Sequence, residues 1–223
     1  DGVGVSRMSQ SLELDNGHRL AIHYLTHHDC HASGAFYPSG FERSAVLTVD
    51  GYGERSACHI ARGTLDGGIE TLKTIEFPHS VGALYAAFTQ YLGFRPNNGE
   101  GKVMGLASYG GSAFDDMIDG LVTLTEDGFE LDLSYFSFYL HRRRRYTSKL
   151  EALLGPERRP EAPLTQRHMD IAAGLQRLTE KLLLHLARLA RSLTGESRLC
   201  CAGGVMLNCV ANARIQFEAG FDD

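Results

Sequence analysis

A leucine stripe runs through residues 166–193: Leu175, Leu178, Leu182, Leu186 and Leu189 recur at helical spacing on one side. A helix with so long an apolar side must lie on an apolar layer, because its own backbone bonds supply little net stability in water. Thr165 can cap its start, and Gly195 fits its stop. A short apolar strand, Leu199–Ala202, follows, then Gly203-Gly204 and a final helical pattern from near Val205. Helix, strand, glycine turn and helix in that order predict an α/β fold.

The layer under the stripe is legible upstream. Three strand-like runs, Ala45–Asp50, Glu54–Arg62 and Ile69–Phe77, are separated by Asp50-Gly51 and Asp66-Gly67-Gly68, both good hairpin signals. An antiparallel meander is the expected result. Residues 19–25 read as a short strand, and Ala32–Phe36 as a short helix ended by Pro38 and Gly40. Ser80 is expected to cap a helix to about Leu92 that buries Val81, Leu84, Tyr85 and Phe88 and closes at Gly93. A glycine-rich stretch occupies Asn97–Gly110. Residues 121–132 suggest a hairpin on Asp127-Gly128. Residues 136–164 are less regular and carry His141-Arg142-Arg143-Arg144-Arg145, which reads first as a solvated face and second as a phosphate contact.

Composition excludes some classes. With 223 residues, 43% apolar and 22% charged, the chain has the make-up of a globular protein. No apolar run approaches a membrane span. A net charge of -5 gives no general reason to expect nucleic-acid binding. The five cysteines, Cys30, Cys58, Cys200, Cys201 and Cys209, form no regular framework, so buried reduced thiols in a cytoplasmic protein are expected. The chain opens on Asp1 without methionine and closes just after a helical pattern where an α/β protein would add a strand, so it is expected to be a fragment of a longer enzyme.

Four constellations carry candidate chemistry. His27 and His31, four positions apart on a helical turn, share a face and can reach one ion. Asp50 ends an apolar strand beside a glycine. There it can ligate a metal, or it can bind its own backbone as a turn aspartate. Gly203-Gly204 lies between a strand and a helix, with Asn208 and Asn212 one turn apart. Glycine admits a ligand close to the backbone, and a helix start favours phosphate. In Glu100-Gly101-Lys102, the lysine can meet a phosphate and the glutamate can orient a substrate, or the two can form a local ion pair at a helix start.

Taken together, the stretches HHDCHASGAFYPSGFERSAVLTVDGYGE (27–54), GEGKVMGLASYG (99–110) and LCCAGGVMLNCVANARI (199–215) resemble the O-carbamoyltransferase family of the NodU/CmcH type. Weaker likeness runs through LDLSYFSFYL and LTQRHMDIAAGLQ. The resemblance implies an α/β, ribonuclease H-like (actin/sugar kinase/Hsp70-type) two-lobed fold, present as a fragment. Residues 1–42 would end the first lobe and 43–223 form the second, with an insertion at about 111–164. An N-terminal strand and a C-terminal activation domain would be absent. In such enzymes carbamoyl phosphate and ATP give carbamoyladenylate, and the region matched here passes the carbamoyl group to the hydroxyl of a small molecule, typically a natural product. On this sequence the implied metal ligands are His27, His31 and Asp50, holding iron or another divalent ion, with a further aspartate expected beyond Asp223. Gly203, Gly204 and Asn208 would contact the adenylate, with Asn212 and Lys102 as further candidates. His28 is one candidate for the base that takes the hydroxyl proton. Ser108 and Cys30 depart from the family's usual proline and small apolar residue. Rival expectations are threonylcarbamoyl- or hydrogenase-maturation-type transfer on the same scaffold, and a non-catalytic nucleotide-binding domain.

Overall fold

The computed structural model describes residues 8–140 and 143–223. In chain order the elements are strands β1 (Met8–Glu13) and β2 (Arg19–Tyr24), helix α1 (His27–Phe36), and strands β3 (Arg43–Val49), β4 (Ser56–Thr64) and β5 (Gly68–Glu76). Helices α2 (Val81–Tyr91), α3 (Glu100–Ala107) and α4 (Asp115–Asp119) come next, then strands β6 (Val122–Thr125) and β7 (Gly128–Leu131). Helices α5 (Ser148–Leu154) and α6 (Gln166–Thr194), strand β8 (Leu199–Ala202) and helix α7 (Cys209–Glu218) complete the chain. The α/β class is as expected. No helix among the described residues is long and apolar enough to cross a membrane.

The meander forms as the turn residues dictate. β3, β4 and β5 pair antiparallel, and the β4–β5 connection closes on Gly68 at φ 79°. β8 adds on the other side of β3 and runs parallel to it, giving the order β5-β4-β3-β8. β3 is therefore flanked on both sides and buried on both faces, with every residue from Ser44 to Val49 buried. Ala45, Leu47 and Val49 point into the main core under α6, while Val46 points the other way, with Ala61 and Cys200, onto Ala32 and Phe36 of α1. Phe36 is fully buried, worth about 2–3 kcal/mol. It fits because Gly63 has no side chain: a Cβ there would lie 2.7 Å from the ring. A boundary at 42/43 thus runs through a packed interface, since α1 and the sheet share a core.

The leucine stripe of α6 is core as expected: Leu175, Leu182 and Leu186 are fully buried and Leu178 nearly so. Gly195 ends the helix at φ 69°, and the Thr165 amide at its start donates to His168 Nδ1 at 3.0 Å. The 111–164 region is no appendage. Ile118, Leu121, Phe136, Tyr146 and Leu150 are all buried in the core that α2 and α6 build.

Some boundaries differ from the sequence reading. α1 begins at His27, so the helical turn expected at the histidines and the short helix expected at Ala32–Phe36 are one element. The strand expected at 19–25 is one half of a hairpin with β1, whose run MSQSLE carries little apolar signal. The final helix does not start near Val205. A 3-10 turn spans Gly204–Leu207, and α7 opens only at Cys209, with the Asn208 side chain accepting from the Ala211 amide. The arginine run divides. His141 and Arg142 lie outside the described residues, Arg143 is exposed, and Arg144 pairs with Glu151 and lies 4.6 Å from the Tyr146 ring centre. All five cysteines are free. Cys58 and Cys200 are buried, Cys201 is partly so, and Cys30 and Cys209 are exposed, contrary to the expectation of uniform burial.

Candidate metal centre

Because β3 and β8 are parallel neighbours, their carboxyl ends lie side by side, the position where open α/β sheets commonly hold ligands. Asp50 follows one strand and Gly203 the other. α1 packs against the same strands and brings its first turns there. His27 Nε2 and His31 Nε2 each lie 2.9 Å from Asp50 Oδ2 and 3.1 Å from one another. Among the described residues these three are the group able to hold a metal ion, with ligand atoms all within 4.8 Å. Two imidazoles and a carboxylate suit a first-row divalent cation.

Backbone geometry holds Asp50 in this pose. Its Oδ1 accepts from the Gly51 amide at 2.7 Å, and the Gly204 amide also donates to the carboxylate, which leaves Oδ2 for the histidines. Half-burial alone would raise the carboxyl pKa. The His27 hydrogen bond and the two amides outweigh it, so Asp50 sits below the usual carboxylate value and is anionic at neutral pH. The turn-aspartate and ligand readings of Asp50 therefore both hold, one for each oxygen.

The glycine pair acts first on Asp50. Gly203 has φ 102°, and a Cβ on it would lie 2.2 Å from the Val49 carbonyl oxygen. Three further residues that the sequence reading missed complete the frame. Gly82, on the first turn of α2, lets the Asp50-Gly51 turn pass; a Cβ would lie 2.7 Å from the Gly51 nitrogen. Gly53 lies against the His27 and His28 side chains. The Glu54 carboxylate accepts from the His27 amide at 3.1 Å, an acidic partner for the first turn of α1. Gly53 and Glu54 fall in the 27–54 stretch, but no spacing there tells of their contacts with α1; only the fold brings the three together.

His28 is not placed to act as the base. It is buried, its Nδ1 pairs with Thr48 Oγ1 at 2.8 Å, and its Nε2 pairs with the Ser56 carbonyl at 3.1 Å. It stacks on His59 at 4.5 Å. A carbonyl can only accept, so Nε2 carries the proton and the neutral ring locks α1 to the sheet. Burial, aided by His59, lowers its pKa from 6.5 to about 4. A folded-state value below the unfolded one means that protonation favours unfolding. The stabilisation is full above pH 6.5 and is lost as pH falls toward 4, a difference of about 3 kcal/mol. Thermal unfolding between pH 4 and 7 should show this acid destabilisation, and His28→Gln should flatten it. An unchanged slope in the variant would refute the assignment.

A cleft of about 470 Å³ opens beside the centre, walled by Asp50, Gly51, Tyr85, Glu100, Gly204 and Leu207, with Asn97, Asn98 and Asn208 among its other residues. Of the candidates, Asp50, Gly204 and Asn208 thus meet here. Asn208 is already engaged: its amide and that of Gln176 exchange hydrogen bonds of 2.8 and 3.0 Å, and it caps α7. Asn212 donates to the Met206 carbonyl at 2.7 Å and is not in the wall. Lys102 is exposed and also outside the wall. Glu100 lies in the wall and accepts from the Asn97 amide at 2.7 Å.

Comparison with known proteins matches residues 6–223 to the family model described as carbamoyltransferase N-terminus. Relatives include the Uncharacterized protein sll1178 of Synechocystis sp., 46% identical over 87% of this chain and 32% of the relative. Nodulation protein NolNO of Sinorhizobium fredii is 35% identical over 91% of this chain and 28% of its own length. Nodulation protein NolO of Bradyrhizobium diazoefficiens is 34% identical over 89% and 34%. The chain spans about a third of the length of these relatives. With every described residue inside that match, the helix-borne histidine pair, Asp50 and the glycine pair included, the chain belongs to the carbamoyltransferase family.

Proposed function

We propose that the protein transfers a carbamoyl group from carbamoyladenylate, made from carbamoyl phosphate and ATP, to a hydroxyl of a small molecule. The observation that carries this reading is the convergence of His27, His31 and Asp50 on one point at the edge of a cleft sized for a small ligand. In the transfer, the acceptor oxygen bonds to the carbamoyl carbon, the bond from that carbon to the adenylate phosphate oxygen breaks, AMP leaves with the electron pair, and the hydroxyl proton passes to water. His27, His31 and Asp50 would hold a divalent ion, iron by family resemblance, which would supply Lewis-acid stabilisation of the charge growing on the phosphate. Asp50 remains anionic through the His27 hydrogen bond and its two backbone amides, and Glu54 and His28 keep α1 from shifting the imidazoles.

In the cleft, Asn97 and Asn98 replace Asn208 as the polar candidates for the adenylate, because the Asn208 amide is committed to Gln176. Gly204 contributes its closeness to the carboxylate, and the 82% exposed Leu207 offers an apolar surface for a purine face. The sheet order, three antiparallel strands with a fourth parallel to the first, supports a ribonuclease H-like second lobe.

The test uses the full-length protein. It should form a carbamate only with ATP, carbamoyl phosphate and a hydroxylated acceptor all present. His31→Ala should lower bound metal by roughly 100-fold in occupancy-limited conditions, with carbamoyladenylate formation retained. Elemental analysis reads the first outcome and adenylate trapping the second; unchanged metal content in the variant refutes the ligand role.

A further inference from the structure

A second cavity, of about 680 Å³, adjoins the cleft: Gly51, Gly82 and Asn97 belong to the walls of both. It also touches the metal centre, since Glu54, in its wall, accepts from the His27 amide. We propose that this cavity holds the acceptor, and that it selects a hydroxylated ring compound carrying an acidic group. The inference rests on the carbamoyl-transfer reading and names the substrate class of the same site.

The wall has two chemical parts. One is an aromatic run: Tyr52 lies 5.3 Å from Phe77, and Phe77 lies 5.8 Å from Phe138, between ring centres. Tyr52 is 61% exposed, so its ring offers a face that the fold does not cover. These residues come from three separate segments, the turn after β3, the residue that follows β5 and the irregular 136–146 region. The face is thus assembled by tertiary contacts.

The other part is charged, and its charges are unequally engaged. Glu54 is committed to the His27 amide, and Arg55 and Glu76 face one another at 4.0 Å. Arg145 is half-buried, and its guanidinium has no hydrogen bond or ion pair among the described residues. Its backbone is fixed: the Arg145 amide donates to Gln90 Oε1 at 2.8 Å, and its carbonyl accepts from the Ser137 amide at 2.9 Å. A guanidinium on a fixed backbone beside an aromatic wall matches a carboxylate attached to a ring, which it can bind through two parallel N–H donors. The same cavity offers Glu76, whose contact with Arg55 is only 4.0 Å, as an acceptor for a hydroxyl group.

Ligand-observed NMR titration of the full-length protein tests this with 4-hydroxyphenylacetate and its neutral analogue 4-hydroxyphenylacetamide as probes, and AMP as a reporter of the neighbouring cleft. The acid should bind wild type roughly 10-fold or more tightly than the amide, the ordinary difference for one charge-assisted pair. Arg145→Gln should make the two probes equal, Arg145→Lys should retain part of the preference, and Phe138→Leu should weaken both probes alike. AMP should bind wild type and Arg145→Gln equally. Equal binding of acid and amide to wild type overturns the proposal, as does a preference that survives Arg145→Gln. That comparison on wild type needs no variant to fold. Failure of AMP to bind wild type counts against the transfer reading itself, whereas loss of the acid preference with AMP still bound overturns the acceptor proposal alone.

Discussion

On the function proposed above, Asp50→Asn is expected to abolish carbamoyl transfer by the full-length protein, by about 10³-fold or more, while leaving the fold intact. Asparagine keeps the size of the side chain, and its oxygen can still accept from the Gly51 amide that holds Oδ1. What it loses is the anionic Oδ2 on which His27 and His31 converge at 2.9 Å. A neutral amide in that place is a much poorer partner for a divalent cation, and its NH₂ group would point donors at the ion. Metal content and turnover should fall together, with far-UV circular dichroism unchanged. Retention of wild-type metal content would remove Asp50 from the centre, and with it the main support for the proposed function.

Gly203→Ala should be the most damaging small substitution in the second half of the chain. Two costs add at one atom. The backbone there has φ 102°, which side-chain-bearing residues rarely adopt, and the added Cβ would lie 2.2 Å from the Val49 carbonyl oxygen. Neither neighbour can yield cheaply: Val49 is buried in the central strand, and Gly203 directly follows β8 in the same sheet. The loss should be on the order of 3–5 kcal/mol, a large share of a domain's stability. It would appear as a lower denaturation midpoint with little change in m-value. Because Gly204 donates to Asp50, folded protein recovered at low temperature should also bind metal more weakly. Gly101→Ala is the control, as a Cβ there meets nothing within 4 Å. Equal stability of the two variants would show that the β3–β8 junction tolerates the displacement.

The sequence by itself determined whatever is local or periodic. The stripe of α6 needs only a 3.6-residue repeat, and the β4–β5 hairpin needs Asp66-Gly67-Gly68 to turn it. His27 and His31 share a face because four residues make about one turn. Tertiary structure decided what depends on chain segments far apart. Asp50 meets His27 across 23 positions, and no local pattern encodes that contact. His28 carries the same side chain as His27 and stands next to it, yet it faces Thr48 and Ser56 and is spent on holding α1. Likewise Asn208 read as a ligand contact until Gln176, 32 positions earlier on α6, claimed its amide. Gly82 showed no signal at all, and Glu54 none of its contact with α1, because their roles exist only once the turn after β3 is wedged between α1 and α2. Propensity and period act over a few residues, whereas a site at the ends of parallel strands is assembled by packing, which settles which of several chemically able side chains remain free to react.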